Sequence, residues 1–88
     1  MTAYDPAGLH LEEAGDSGPL VLCLHGIGSS SAAFAPQFAA LGGSYRMLAW
    51  DAPGYARSAD PTGPLTMDDY ADLAADVIRA RGGSAHVL

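Results

Sequence analysis

Apolar residues recur along the chain in blocks that differ in spacing. Leu20 to Leu24 is apolar at every position, which is typical of a strand covered on both faces. Tyr45 to Trp50 is a second, mostly apolar segment and is predicted to form another strand. Between them, Ala32 to Leu41 favours a helix that is interrupted near Pro36 and ended by Gly42-Gly43.

The clearest predicted helix begins after Thr66. Thr66 and Asp69 have the spacing of a capping box, and Gly82-Gly83 provides the stop. Its apolar residues repeat at three- and four-residue steps, namely Met67, Tyr70, Leu73, Ala74, Val77 and Ile78. One face of this helix is therefore expected to pack on a sheet, and His86-Val87-Leu88 begins a further strand.

Turn residues divide the N-terminal region. Asp5 to Gly8 has the composition of a β-turn, so Thr2–Tyr4 and Leu9–Glu13 are predicted to pair as a short hairpin. Strands that alternate with helices after such a hairpin predict an α/β fold, with a mostly parallel sheet and an antiparallel hairpin edge. Because a doubly wound sheet normally uses a chain more than twice as long, we interpret residues 1–88 as one piece of a single domain.

Charge and composition exclude several classes of partner. The net charge is −6, with no Lys and four Arg, which argues against nucleic-acid binding. The N-terminus lacks the basic start and apolar run of a secretion signal, and Leu20 to Leu24 is too short to span a membrane, so a cytoplasmic location is expected. Cys23 is expected in the core, and His10 and His86 lack the spacing of metal ligands, so no metal site is predicted.

A glycine turn follows the first central strand. His25-Gly26-Ile27-Gly28 lies where the carboxyl end of a parallel strand would turn into a helix, which is the edge at which α/β folds bind ligands. With two glycines beside it, the N–H of Ile27 could point into the crevice and hold an oxyanion. On these residues alone, a simple tight turn without a ligand is an equally good interpretation.

The second central strand ends in Asp51-Ala52-Pro53-Gly54-Tyr55-Ala56-Arg57-Ser58, one helix and one strand after that turn. Together the two segments resemble the HGxG turn and the D-x-P-G-x-G-x-S loop of the α/β-hydrolase family. Thr66–Arg81 is similar to the helix before that family's nucleophile elbow, and residues 85–88 are similar to the start of the strand that enters the elbow. The resemblance covers essentially the whole chain and implies that residues 1–88 are the N-terminal segment of a single, incomplete α/β-hydrolase domain.

The resemblance implies a role for each matching residue. The Ile27 N–H would be one oxyanion donor, and the residues that form its turn would be His25, Gly26 and Gly28. The residues that order the loop would be Asp51, Pro53, Gly54 and Ser58. Asp51 is then not the triad acid, because the family's acid follows its nucleophile in sequence, and His25 is not the proton carrier.

The implied activity is hydrolysis of an ester, lactone, amide or related bond of a small molecule through a covalent acyl-enzyme, without a cofactor. In the family, the nucleophile, acid and base come later than the matched segment, and none of the three is present in residues 1–88. We therefore expect this segment to supply half of an oxyanion hole and to be inactive alone.

Some residues depart from the pattern or resemble other sites. Ala56 stands where the family's loop has its second Gly; if that position needs φ > 0, a Cβ there costs about 1 kcal/mol. Gly15-Asp16-Ser17-Gly18-Pro19 resembles a chymotrypsin-like nucleophile segment, but without the second Gly and the upstream His and Asp it is predicted to be a turn. Ser29, Ser30 and Ser31 are expected to cap the following helix.

Two alternatives remain open from the sequence. One is a dinucleotide-binding unit, with Gly26-x-Gly28 at the strand end and Asp51 as a ribose-binding acid, although Ser31 replaces its third Gly. The other is a non-catalytic binding protein that keeps the hydrolase scaffold. The apolar strand at His86–Leu88 also predicts self-association through an unpaired sheet edge.

Overall fold

Four strands form one sheet in the computed structural model of the chain, which describes residues 8–58, 60 and 63–88. In chain order the elements are β1 (His10–Ala14), β2 (Leu20–Cys23), a 3₁₀ helix (Ser31–Phe34), α1 (Ala35–Leu41), β3 (Arg46–Asp51), α2 (Met67–Ala80) and β4 (His86–Val87). The order of strands across the sheet is β1-β3-β2-β4.

The strand directions confirm a mostly parallel sheet with an antiparallel edge. β2 runs parallel to β3 and to β4, so that Leu22 lies opposite both Leu48 and Val87. β1 runs antiparallel to β3, with His10 opposite Asp51. The strand predicted at Leu9–Glu13 is therefore present, and its partner among the described residues is β3. The predicted hairpin partner, Thr2–Tyr4, lies outside the described residues.

The core lies on both faces of β2. Val21 and Cys23 pack with the side chains of the α1 region, and Leu20 and Leu22 pack toward α2. Since successive side chains of a strand point to opposite faces, an unbroken apolar run is what such a position requires. Leu22 is fully buried, which contributes about 1.5–3 kcal/mol.

Both predicted helices are present, with one difference at the first. The segment begins as a 3₁₀ turn at Ser31, and α-helical geometry starts only at Ala35, with Pro36 in the first turn. Pro lacks an N–H and is accommodated in the first turn, because a backbone N–H at that position would have no intrahelical acceptor. The interruption near Pro36 is thus a change from 3₁₀ to α geometry.

The capping box at the start of α2 is confirmed. Thr66 Oγ1 accepts the N–H of Asp69 at 3.1 Å, and the Asp69 carboxylate accepts the N–H of Thr66 at 2.9 Å. At the other end, the N–H of Gly83 donates to the carbonyl of Ile78 at 2.9 Å, so the two glycines end the helix as predicted. This cap fixes where α2 begins, next to the ends of β2 and β3.

Two segments at the periphery complete the fold. Gly15-Asp16-Ser17-Gly18 is the turn between β1 and β2, and a Cβ on either glycine would collide with the backbone carbonyl of Ser44 or Tyr45. β4 pairs with β2 alone among the described strands, and Val87 is 59% exposed. Within the described part of the chain, no helix is long and apolar enough to cross a bilayer.

Candidate active site

The glycine turn leaves β2 at the carboxyl edge of the sheet. The N–H of Ser29 donates to the carbonyl of Gly26 at 3.1 Å, and Gly28 has φ of 79°, which is the geometry of a type II turn. Ile27 occupies the first central position, with its side chain 98% exposed. Among the described residues, no acceptor takes the Ile27 N–H. The turn therefore presents a free backbone donor at its tip.

His25 links this turn to the end of β3. Its Nε2 accepts the N–H of Ala52 at 2.9 Å, and its Nδ1 lies 2.8 Å from the carbonyl of Gly26. Because Nε2 is an acceptor, the proton must lie on Nδ1, which donates to that carbonyl. The His25 and Tyr55 rings pack edge to face, with their centroids 5.1 Å apart. Both ring nitrogens are thus used by the backbone, which suits a positioning role.

Asp51, at the end of β3, holds the other side of the turn. Its side chain is 1% exposed, and its two oxygens accept the N–H of Ser31 at 2.8 Å and the N–H of Arg57 at 3.3 Å. Burial raises the pKa of Asp51, and the hydrogen bonds from Ser31 and Arg57 lower it. The hydrogen bonds together have the larger effect, so the pKa of Asp51 lies below its ordinary value. Asp51 therefore stays ionised and binds the start of the 3₁₀ helix.

The loop after Asp51 is built from two successive turns. The N–H of Tyr55 donates to the carbonyl of Ala52 at 2.8 Å, with Pro53 and Gly54 between them and φ of 81° at Gly54, again a type II turn. The N–H of Ser58 then donates to the carbonyl of Tyr55 at 2.9 Å. The buried Ser58 hydroxyl donates to the carbonyl of Asp51, which closes the loop.

Ala56 lies in the second of these turns at φ of 45°, in the left-handed region that favours glycine. The A56G substitution is expected to stabilise the chain by about 0.5–1 kcal/mol, because it relieves the Cβ strain at a modest entropic cost. Urea unfolding measures the change. The control A71G, on the exposed face of α2, should destabilise by about 1 kcal/mol. Equal effects of both substitutions would contradict the strain at Ala56.

Charged side chains attach this loop to β1. The Arg57 guanidinium lies 2.6 Å from Glu12, and the same carboxylate lies 2.8 Å from His10 Nε2. The hydrogen bond with His10, with further contributions from Arg57, holds the pKa of Glu12 below its usual value. The backbone N–H of His10 also donates to the Ser58 hydroxyl at 2.8 Å. β1 thus supports the loop after Asp51, and that loop in turn supports the glycine turn at residues 25–28.

A crevice of about 460 Å³ opens where the glycine turn, the loop and the start of α2 meet. The crevice is lined by the glycine turn and by aromatic and apolar side chains. The lining residues are Leu24, His25, Gly26, Ile27, Trp50, Ala52, Tyr55, Met67 and Tyr70. The Trp50 and Tyr70 rings pack edge to face, with their centroids 6.4 Å apart. The crevice lies at the carboxyl edge of the parallel strands, where α/β folds bind ligands.

The sequence did not single out Trp50, Tyr55, Met67 or Tyr70 as lining residues. Met67 belongs to the apolar repeat of α2 and yet is 81% exposed, which no signal in the sequence indicated. The repeat alone assigned it to the core. Met67 is the first residue of α2 and, unlike Tyr70 and Leu73, belongs to no core cluster among the described residues.

Other residues with possible chemistry lie elsewhere. Cys23 is buried in the core, and burial raises the pKa of its thiol. His86 is exposed on β4, and no group of three or more metal-ligating side chains occurs in the described parts of the chain. Of the three serines expected to cap the helix, Ser30 accepts the N–H of Ala32 at 3.3 Å, whereas Ser31 is the first helical residue.

The chain matches the sequence model described as the alpha/beta hydrolase family over residues 21–88, which is most of its length. It therefore belongs to the alpha/beta hydrolase family, as the turn and loop motifs predicted. The mixed four-stranded sheet agrees with this assignment. Membership decides against the dinucleotide-binding alternative.

The chain is similar to three known proteins in sequence or structure. The 2-(acetamidomethylene)succinate hydrolase of Mesorhizobium japonicum is 42% identical over 76 residues, which are 84% of this chain and 27% of that protein. An N-acyl homoserine lactonase solved with N-butanoyl homoserine has a TM-score of 0.84 at 34% identity, over 98% of this chain and 32% of the lactonase. An alpha/beta hydrolase from Sphaerobacter thermophilus has a TM-score of 0.80 at 32% identity, over 90% of this chain and 30% of that structure. The chain spans about a third or less of the length of these relatives.

Proposed function

We propose that this chain forms the oxyanion turn and one wall of the substrate crevice of a hydrolase. The enzyme would cleave an ester, lactone, amide or related bond of a small molecule through a covalent acyl-enzyme. The free N–H of Ile27 at the mouth of the crevice is the observation that carries the proposal. The names of two relatives, a lactonase and a hydrolase of an acetamido compound, support acyl chemistry.

The proposed role of the turn is electrostatic. A carbonyl in the crevice would place its oxygen at the Ile27 N–H, where negative charge develops as a nucleophile adds. His25 and Asp51 hold the turn from both sides, so little reorganisation is needed when the charge appears. Residues 1–88 contain no Gly-x-Ser-x-Gly elbow, so the nucleophile and the second donor would come from other polypeptide.

The substrate of the Mesorhizobium relative is not carried over as such. Its name contains succinate, a dicarboxylate, whereas the crevice described above is lined mainly by apolar and aromatic side chains. What we carry over is the reaction class, hydrolysis of an acyl bond. A cytoplasmic location and the absence of nucleic-acid and membrane partners remain predictions from the sequence.

Residues 1–88 alone are expected to hydrolyse p-nitrophenyl butanoate no faster than an equal amount of unrelated protein. They contain one oxyanion donor but no nucleophile that could attack the ester carbonyl. A release of p-nitrophenol well above that control would contradict the proposal. The complementary experiment is a chimera in which this segment replaces its counterpart in the Mesorhizobium relative. The chimera should fold cooperatively by circular dichroism and hydrolyse either this ester or the recipient's own substrate.

If the folded chimera hydrolyses neither substrate while the unmodified recipient does, the segment belongs to the alternative class of non-catalytic proteins on the hydrolase scaffold. Retention of turnover would instead support the catalytic role of the turn. The two results separate the enzyme from the binding protein without any assumption about the natural substrate.

A further inference from the structure

Two ion pairs of the edge strand β1 lie on opposite faces of the sheet. Glu12 contacts the Arg57 guanidinium at 2.6 Å, and Glu13, the next residue of the strand, pairs with Arg81. Because successive side chains of a strand point to opposite faces, Glu12 lies on the face that packs on α1, and Glu13 lies on the face that packs on α2. The Glu12 pair therefore joins β1 to the loop after Asp51, whereas the Glu13 pair joins it to the end of α2.

Arg57 is held between two carboxylates that differ in burial. Its Nε lies 3.7 Å from the buried carboxylate of Asp51, and its Nη2 contacts the partly exposed carboxylate of Glu12. The guanidinium is mostly exposed, so a long side chain of this kind could turn into the solvent if nothing held it. Glu12 provides the restraint, and a hydrogen bond of 2.8 Å with His10 Nε2 fixes Glu12 in turn. A cation is thereby kept beside the charge of Asp51.

The backbone next to Arg57 requires such a restraint. Ala56, the preceding residue, has φ of 45°, which a residue with a Cβ keeps only where the surrounding contacts hold it. The peptide after Ala56 carries the Arg57 N–H, whose hydrogen bond to Asp51 is long at 3.3 Å. If Ala56 relaxed to a negative φ, this N–H would turn away from Asp51. The contact between Arg57 and Glu12 opposes that relaxation.

Asp51 connects this loop to the glycine turn. Its other oxygen accepts the N–H of Ser31 at 2.8 Å, and Ser31 begins the 3₁₀ helix three residues after Gly28. The position of the Asp51 carboxylate therefore determines where the end of the turn is anchored. Since a misplacement of about 1 Å at a reacting group can cost about 100-fold in rate, small movements of this anchor are enough to change turnover.

We infer that Glu12 and Arg57 are positioning residues, because their ion pair holds the strained loop in place and thereby keeps the Ile27 N–H in the geometry that the reaction needs. The inference rests on the proposed function, since it concerns the same oxyanion donor. Neither residue lines the crevice, so they act on the turnover of bound substrate and not on its affinity. Glu12 belongs to neither of the two motifs, so β1 contributes to the site from outside them.

The test compares Glu12→Gln with its matched control Glu13→Gln, which removes the charge of the neighbouring residue on the other face. In the chimera, Glu12→Gln is expected to lower kcat about fivefold and to change KM by less than about twofold, on whichever substrate the chimera hydrolyses. Glu13→Gln should leave kcat unchanged, because its pair with Arg81 lies at the end of α2. Equal kcat values for the two variants would overturn the inference.

Amide hydrogen exchange of residues 1–88, measured by NMR, gives a readout that does not need turnover. The Ser31 N–H is protected by its hydrogen bond to Asp51, so it should exchange about threefold faster or more in Glu12→Gln than in Glu13→Gln. Urea unfolding of both variants shows that the difference is local, since neither exposed substitution should change the global stability appreciably. The same Ser31 exchange rate in both variants would also overturn the inference.

Two double variants test the route from Glu12 to the turn. In an Arg57→Gln background, Glu12→Gln should cause no further loss of kcat, because its partner is already absent. In an Ala56→Gly background, Glu12→Gln should lower kcat by less than about twofold, because glycine keeps a positive φ without strain and the loop no longer needs the restraint. The full fivefold loss in both backgrounds would contradict this route.

The positioning role and the proposed function fail separately. If turnover of the chimera does not depend on the Ile27 N–H, the proposed function is wrong. If turnover depends on that N–H but is the same in Glu12→Gln and in Glu13→Gln, the oxyanion role stands and only the positioning role of Glu12 and Arg57 is wrong.

Discussion

Ile27→Pro in the chimera with the Mesorhizobium relative is expected to lower kcat by about 10²–10³-fold, which is the usual cost of removing one oxyanion donor. Proline removes the backbone N–H that the turn presents. It also fits the turn, because residue 27 occupies the first central position of a type II turn, where the φ of proline is favoured. The substitution thus deletes the donor and preserves the backbone shape around it.

The matched control is Ile27→Ala, which keeps the N–H and removes an exposed side chain. It should leave kcat within about threefold of the chimera, because the N–H is retained, and any loss of contact in the crevice should raise KM instead. Steady-state kinetics with p-nitrophenyl butanoate, and thermal melts of both variants, complete the comparison. If proline and alanine had the same effect on kcat in folded protein, the Ile27 N–H would not be an oxyanion donor.

Asp51→Ala is expected to destabilise the isolated chain by about 3 kcal/mol. The substitution leaves the buried N–H of Ser31 and that of Arg57 without their acceptor, and hydrogen bonds to a charged group are among the more costly to lose. Urea unfolding of the variant gives the loss. Asp72→Ala, on the exposed face of α2, is the control and should change stability by less than about 0.5 kcal/mol.

The pH dependence gives a second readout of Asp51. Its pKa is lower in the folded chain than in the unfolded chain, so the unfolded chain binds more protons in the acid range. The stability that Asp51 contributes is therefore present above the unfolded pKa and is lost as the pH falls through the folded value. Asp51→Ala should lose less stability than the unmodified chain over that fall. The same acid sensitivity in both proteins would assign the effect to other carboxylates.

The elements that could be predicted are those whose signal is local. The capping box of Thr66 and Asp69 and the unbroken apolar run of β2 each lie within a few residues, and both are present in the structure. The pairing of β1 with β3 could not be predicted in this way, because 31 residues (15–45) lie between the two strands and neither strand carries a local pattern that specifies its partner. Sequence patterns specify a strand better than they specify its neighbours.

The same distinction applies to the site. The motifs marked His25 and Asp51, because glycine and proline beside them restrict the backbone in recognisable ways. They did not indicate that His25 Nε2 accepts the N–H of Ala52, since that contact joins two segments only after β2 and β3 have paired. The link between Arg57 and Glu12 likewise depends on the docking of β1. The supporting contacts are products of the tertiary fold.

The central position of β2 has a dynamic consequence for the turn that follows it. β2 is hydrogen-bonded on both sides, by β3 and by β4, and its side chains are buried on both faces. Amides in such a strand exchange with solvent only through the larger opening motions of a chain, whereas edge strands and loops open locally at low cost. The turn at Gly26 to Ser29 therefore follows a strand that is expected to open slowly, so its geometry can persist through many ligand encounters.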